Sequence, residues 1–118
     1  MSLAVQHVHI KTEDPKKTIQ YYIDNFGATI KGDMGKNGYQ LDLHGLQLNI
    51  TIKIPEQNHV QNYGIEHIAV TTDDYAGTMA KLRGNGVEVL EELTGSSGRR
   101  VAFVAGPSGS QMEIIERA

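Results

Sequence analysis

Hydrophobic and polar positions alternate with a period of two in "VQHVHIKT", residues 5–12. Val8, Ile10 and Thr12 fall on one face of a half-buried strand, and His7, His9 and Lys11 on the other. The period then lengthens: Ile19, Tyr22, Ile23 and Phe26 recur at helical spacing and predict a buried stripe. Asp14 is placed to cap that helix, with Pro15 at its first position, where a missing N–H costs nothing. Gly27 can take the left-handed conformation that ends it. Strands are predicted near 28–33 and 38–44, and again over 46–54. In that last run Leu46, Leu48, Ile50, Ile52 and Ile54 share one face, and Gln47, Asn49, Thr51 and Lys53 share the other. After "PEQNHVQNYG" the pattern restarts with a strand at 65–72 and a helix from about 74 to 83, Met79 and Leu82 facing inward. "RGNG" ends this helix, and strands follow at 87–93, 99–105 and 110–116.

The chain nearly repeats itself. A shift of 60 superimposes His7 on His67, Val8 on Ile68, Ile10 on Val70, Thr12 on Thr72, Asp14 on Asp74 and Thr18 on Thr78. After one deletion Gly27 falls on Gly86. Two long units are too few for a solenoid. The expected fold is therefore α+β, with two βαβββ modules in a pseudo-twofold arrangement. One domain spans 1–118: module one at 4–54, a linker at 55–63 and module two at 64–118.

Size and composition narrow the partners. A chain of 118 residues buries roughly two-thirds of its unfolded surface and folds without staples. It has no cysteine, so disulfides, thiolate metal sites and a cysteine nucleophile are excluded. The net charge of −3, two Phe and no Trp offer neither a basic field nor stacking platforms for nucleic acid. No apolar run approaches the roughly 20 residues of a membrane span, and "MSLAVQHVHI" does not read as a signal peptide. A soluble cytoplasmic protein is expected, with no nucleic-acid or membrane partner.

Each helix must cover the apolar face of its own strands. His7, His9 and His67 then point away from the helices. In "SQMEIIER", Met112 and Ile114 match the helix side, which leaves Gln111 and Glu113 opposite. If the two sheets curve toward each other, His7, His67 and Glu113 converge in one cleft. Two imidazoles and a carboxylate suit a borderline divalent ion and leave positions open for a substrate. The plainer reading is that strand histidines are simply hydrogen-bonded or partly exposed, but occupation of the same position in both modules favours the ligand role. His9, two residues along the same face, reads as lining the cleft and carrying protons, since an imidazole ordinarily titrates near pH 6.5; the alternative is that it is itself a ligand. His44, near a turn, and His59, in the linker, read as surface residues. Lys11, Arg99 and Arg100 would form a basic cluster for an anionic substrate; the alternative is a solvated lysine and a basic turn. "GSSG" is either a mobile lid or an ordinary strand connection, and "GDMGKNG" is a hairpin connection without phosphate-loop spacing.

"QHVHIKTEDPKKTIQYYIDNFG", "IEHIAVTTDDYAGTMAKLRGNGVEVL" and "AFVAGPSGSQMEII" together resemble the vicinal oxygen chelate superfamily, the glyoxalase, bleomycin-resistance and extradiol-dioxygenase group. The resemblance implies paired βαβββ modules and one divalent metal, whether Zn, Ni, Mn, Co or Fe(II). It places the ligands at His7, His67 and Glu113. A fourth ligand in such proteins is usually Glu, Gln or His; here Asn49 stands at that position, with Gln47 two residues before it. The implied activity is that of a lyase or isomerase, like lactoylglutathione lyase, on a small substrate that chelates through neighbouring oxygens. Glu113 would be ligand or base, His9 a proton carrier, and Lys11, Gln47, Asn49 and Arg100 the substrate contacts. Other activities on this fold are sequestration of a small molecule, thiol transfer and extradiol dioxygenation. A homodimer is also implied.

Overall fold

The computed structural model describes residues 1–117. Among them are eight strands and two α-helices, an α+β fold in the expected order β-α-β-β-β, twice. In the first repeat these are β1 (Leu3–Lys11), α1 (Pro15–Phe26), β2 (Thr29–Asp33), β3 (Gly38–Leu43) and β4 (Leu46–Thr51). In the second they are β5 (Gly64–Thr72), α2 (Tyr75–Gly84), β6 (Val89–Thr94), β7 (Arg100–Ala105) and β8 (Gln111–Glu116).

The chain divides into two compact units, His7–Glu66 and a second made of Met1–Gln6 with the chain from His67 onward. In the first unit the strand order is β2-β3-β4-β1. β1 and β4 run parallel, with Val8 beside Leu48 and His9 beside Asn49, and β3 joins the two hairpins antiparallel to its neighbours. In the second unit the order is β5-β8-β7-β6. There β5 and β8 run parallel, with His67 beside Gln111 and Ala69 beside Glu113. Met1–Gln6 joins this unit through Ser2, whose N–H donates to the Asp73 carboxylate at 2.7 Å.

The repeated Thr, Asp and Thr have a structural reason. Asp14 accepts from the Lys17 N–H at 3.1 Å and Asp74 from the Gly77 N–H at 2.9 Å, so each caps its helix. The Thr12 and Thr18 hydroxyls meet at 2.8 Å, and those of Thr72 and Thr78 at 2.7 Å. Each strand-end Thr also accepts from the capping Asp's N–H, and each helix Thr donates to that Asp's carbonyl. One network therefore turns each strand into its helix and aims the helix back along the strand.

Each helix then covers its own sheet. Ile19 of α1 packs with Ile10, Leu41, Leu48 and Ile50, with Tyr22 and Ile23 half-buried against them. Tyr75 and Met79 of α2 pack with Ala102, Val104 and Ile114. Gly27 ends α1 with φ 70° as expected. Phe26 does not complete the buried stripe: it lies in the last turn, 53% exposed, with its ring against Tyr21. β4 ends at Thr51, short of Ile54: the Ile52 N–H still reaches the Asn37 carbonyl at 2.9 Å, but the Ile54 N–H is taken by a side chain, Gln61 Oε1, at 2.6 Å. "GDMGKNG" contains a 3-10 turn between the paired β2 and β3. "TGSSG" is a closed hairpin, with Gly95 N–H to Arg99 C=O at 2.8 Å and Gly98 N–H to Gly95 C=O at 2.9 Å.

Loss of either cap, in Asp14→Ala or Asp74→Ala, is expected to lower unfolding free energy by about 1 kcal/mol. Thr72→Val should cost about 1–2 kcal/mol, since it removes a buried hydroxyl that serves both Thr78 and the Asp74 N–H. Urea denaturation checks both, and an unchanged midpoint in Thr72→Val would show the hydroxyl pair to be idle.

Candidate functional site

In the second unit, strand register gathers the sequence-predicted acid and imidazole on the face away from α2. Ile68, Val70, Met112 and Ile114 take the helix side, so His67, Gln111 and Glu113 take the other. His67 is buried, and its Nε2 lies 3.1 Å from Glu113 Oε1. Its ring meets Phe103 edge-on, with centroids 5.4 Å apart. Phe103 sits beside Glu113 in β7, and Glu91 sits beside Phe103 in β6. The second unit therefore has one more carboxylate on this face than the sequence reading found. A bulge between Val89 and Glu91 hid it by shifting the alternation by one residue.

The corresponding face of the first unit is polar almost throughout. His7, His9 and Lys11 of β1 are joined there by Asn49 and Thr51 of β4, and all five are buried. The rings of His7 and His9 stand edge to face at 5.7 Å. His9 Nε2 is 2.8 Å from the Thr51 hydroxyl, which itself donates to the Ile52 carbonyl, so Nε2 is the protonated nitrogen in that arrangement. The Gln47 amide donates to Asn49 Oδ1 at 2.9 Å and accepts from Lys31 Nζ at 2.7 Å. Gln47 and Asn49 thus share the face of His7 and His9, as the alternation requires.

Lys11 is not solvated, although its strand borders the open groove along α1. It is 1% exposed, and its ammonium lies 3.6 Å from Glu66 Oε1, 2.6 Å from Gln61 Oε1 and 3.2 Å from Gln57 Oε1. Glu66, Gln57 and Gln61 escaped the sequence reading because neither periodicity nor a motif links a linker amide to a strand lysine. His59 is half-buried. His44 is exposed and accounted for locally: its Nε2 is 2.7 Å from the Phe26 carbonyl at the end of α1. An open groove of about 780 Å³ in this unit runs along α1 between Lys17, Tyr21, Tyr22 and Tyr63 and includes none of the histidines.

Arg100 is not brought to the Glu113 side. With Ala102 and Val104 it falls on the helix face of β7, its guanidinium 4.6 Å from the Tyr75 ring centroid and 2.8 Å from Glu116 Oε2. That hydrogen bond holds the Glu116 carboxyl below the usual carboxylate range. Nearby, the Tyr75 hydroxyl donates to Glu92 Oε1 at 3.0 Å, and Arg83 reaches Glu92 Oε2 at 2.7 Å. Burial, then the bond to Glu92, pushes the Tyr75 phenol up to about 12, while the same bond lowers the Glu92 carboxyl.

The model of the Glyoxalase/Bleomycin resistance protein/Dioxygenase superfamily matches residues 4–114, and the chain belongs to that superfamily. The resemblance drawn from its strand starts and closing strand is thereby borne out. Glyoxalase I of Saccharomyces cerevisiae is 24% identical over 146 residues, covering 97% of this chain and 45% of that protein. The chain thus spans a little under half the length of the curated relative it matches. Among solved structures, hypothetical protein BH1468 from Bacillus halodurans C-125 has a TM-score of 0.75 at 21% identity, covering 100% of this chain and 96% of that one. Methylmalonyl-CoA epimerase from Mycobacterium tuberculosis has a TM-score of 0.68 at 20% identity, covering 97% and 87%. At these identities the likeness to both structures is one of fold.

The Tyr75 placement has a pH signature. The folded chain holds the phenolic proton more tightly than the unfolded chain, so its contribution is complete below pH 10 and is lost as pH rises through about 12. Unfolding free energy is therefore expected to fall over that window. Tyr75→Phe should flatten the decline, and an equally steep decline in the variant would place its origin elsewhere.

Proposed function

We propose that this chain is a divalent-metal-dependent, glyoxalase-like enzyme of lyase or isomerase type, acting on a small substrate with neighbouring oxygens. His7, His67 and Glu113 would hold the ion in a metal-binding cleft. The observation that carries this reading is the buried His67 beside Glu113. Their 3.1 Å separation is close to the roughly 2.9–3.4 Å expected between two donors sharing one ion at bond lengths of about 2.0–2.1 Å. The donor chemistry fits as well: His7, His9 and His67 are buried imidazoles of the kind that hold a metal, and imidazole with carboxylate suits zinc, nickel, manganese, cobalt or ferrous iron.

Such an ion supplies Lewis-acid polarisation of a substrate oxygen. The chain's own groups do the rest. Glu113 is the ligand best placed to accept a proton, because its carboxylate is only partly enclosed. His9, fixed by Thr51, is the neighbouring proton carrier, and the amides of Gln47 and Asn49 orient the substrate's polar groups. An anionic substrate remains part of the proposal only through Lys11, whose charge Glu66 already opposes. No helix among the described residues is long and apolar enough to cross a membrane, and we place the protein in the cytoplasm as a homodimer.

The test is elemental analysis of the untagged chain, as isolated and after loading with each candidate metal. About one ion per chain is expected, with affinity reduced at least about tenfold in His67→Ala and in Glu113→Gln. Metal-loaded protein would then be screened on hemithioacetals, methylmalonyl-CoA, fosfomycin with thiols, and catechols. Absence of metal under every loading would overturn the enzyme reading and favour sequestration of a small molecule by the same face.

A further inference from the structure

The buried Lys11 cluster does something the proposed chemistry does not use: it grips the linker. Gln61 closes the loop that begins after Ile54, in the manner of a backbone pair. Its Oε1 accepts from the Ile54 N–H at 2.6 Å and its Nε2 donates to the Ile54 carbonyl at 2.8 Å, with a weaker 3.3 Å bond to the Gln57 carbonyl. The same Oε1 accepts from Lys11 Nζ at 2.6 Å, and Gln57 adds a second amide oxygen at 3.2 Å. At the foot of the loop Lys53 Nζ stands 4.3 Å from the Tyr63 ring centroid, and the Asn62 N–H donates to Glu66 Oε2 at 2.7 Å.

Lys11 shares its strand face with His7 and His9, and in register it lies beside Thr51, the hydroxyl that holds His9. A loop seated on the Lys11 ammonium therefore lies against one end of the histidine face. We infer that residues 55–61 are a strap closing that end of the face, with Lys11 as its latch and Gln61 as its clasp. Glu66 holds the lysine in place whether the strap is shut or open, since the ion pair lies at 3.6 Å between two fully buried side chains. The strap's own grip on Lys11 is through neutral amide oxygens, whose net hold is modest because water takes their place when the strap lifts. Val60, near its end, is 73% exposed. Gating elements are drawn from segments whose ties include exchangeable hydrogen bonds of this kind.

The strap closes that end of the face whether or not the face binds a metal, and metal-free protein tests the strap by itself. Chelator-treated protein of residues 1–118 is exposed to endoproteinase Glu-C under native conditions, and cleavage after Glu56, inside the strap, is followed by mass spectrometry. In parallel, diethyl pyrocarbonate modification is quantified at His9, with exposed His44 as the internal control. Gln61→Ala, which removes the clasp and one Lys11 contact, is expected to raise both the Glu56 cleavage rate and the His9 modification rate at least about tenfold, with His44 unchanged. Unchanged cleavage would show that Gln61 does not hold the loop. Faster cleavage with His9 still protected would show that the loop does not close the histidine face. Either result overturns the strap. If circular dichroism finds Gln61→Ala unfolded, Gln57→Ala, which removes only the second amide contact to Lys11, takes its place with the same two readouts and a smaller rise of about threefold.

Discussion

A single junction, used twice, sets what every other residue can do. Where each first strand ends, a threonine, an aspartate and a helix threonine form one hydrogen-bonded knot: Thr12, Asp14 and Thr18, then Thr72, Asp74 and Thr78. The knot caps the helix and directs it back over the strand it has just left. One sheet face is thereby committed to apolar packing, and the strand's period of two commits the other to whatever remains. His7, His9 and Lys11, like His67, Gln111 and Glu113, share their faces because the helices take the alternate positions. The chemistry of this protein depends on where two short helices begin.

The two units use their free faces differently. In the unit from His67 onward the face is mixed, with Phe103 packed on His67 and the carboxylates of Glu113 and Glu91 in neighbouring strands. In the unit His7–Glu66 it is polar, and its buried groups satisfy one another: His9 with Thr51, Gln47 with Asn49, Lys11 with Glu66 and two glutamines. Burying so many polar groups is costly unless each is paired. Apolar residues at the same positions would be the cheaper way to fill the space. That the face is nonetheless built from imidazoles, amides and a lysine is the physical reason to look for its function there and not in the open groove along α1.

Basic residues illustrate how identity and availability separate. Lys11 and Arg100 both look, in sequence, like cations waiting for an anionic partner. One is enclosed with Glu66; the other spans Tyr75 and Glu116 on the helix face. Neither disposition follows from the residue or its neighbours in the chain.

Alternation, helical spacing and the sixty-residue repeat were enough to determine the order of elements, the caps, the split between core and polar faces, and the pairing of His67 with Glu113 on one face. These are consequences of local periodicity, which backbone geometry converts directly into sidedness. Tertiary structure alone decided the rest: that β4 stops at Thr51, that a bulge turns Glu91 to the His67 side, that Arg100 goes to the helix face, and that Gln57 and Gln61 fold back on Lys11. Each of these depends on a partner in another strand or in the linker, at a sequence separation where no periodicity operates and where only the assembled chain brings donor and acceptor within reach.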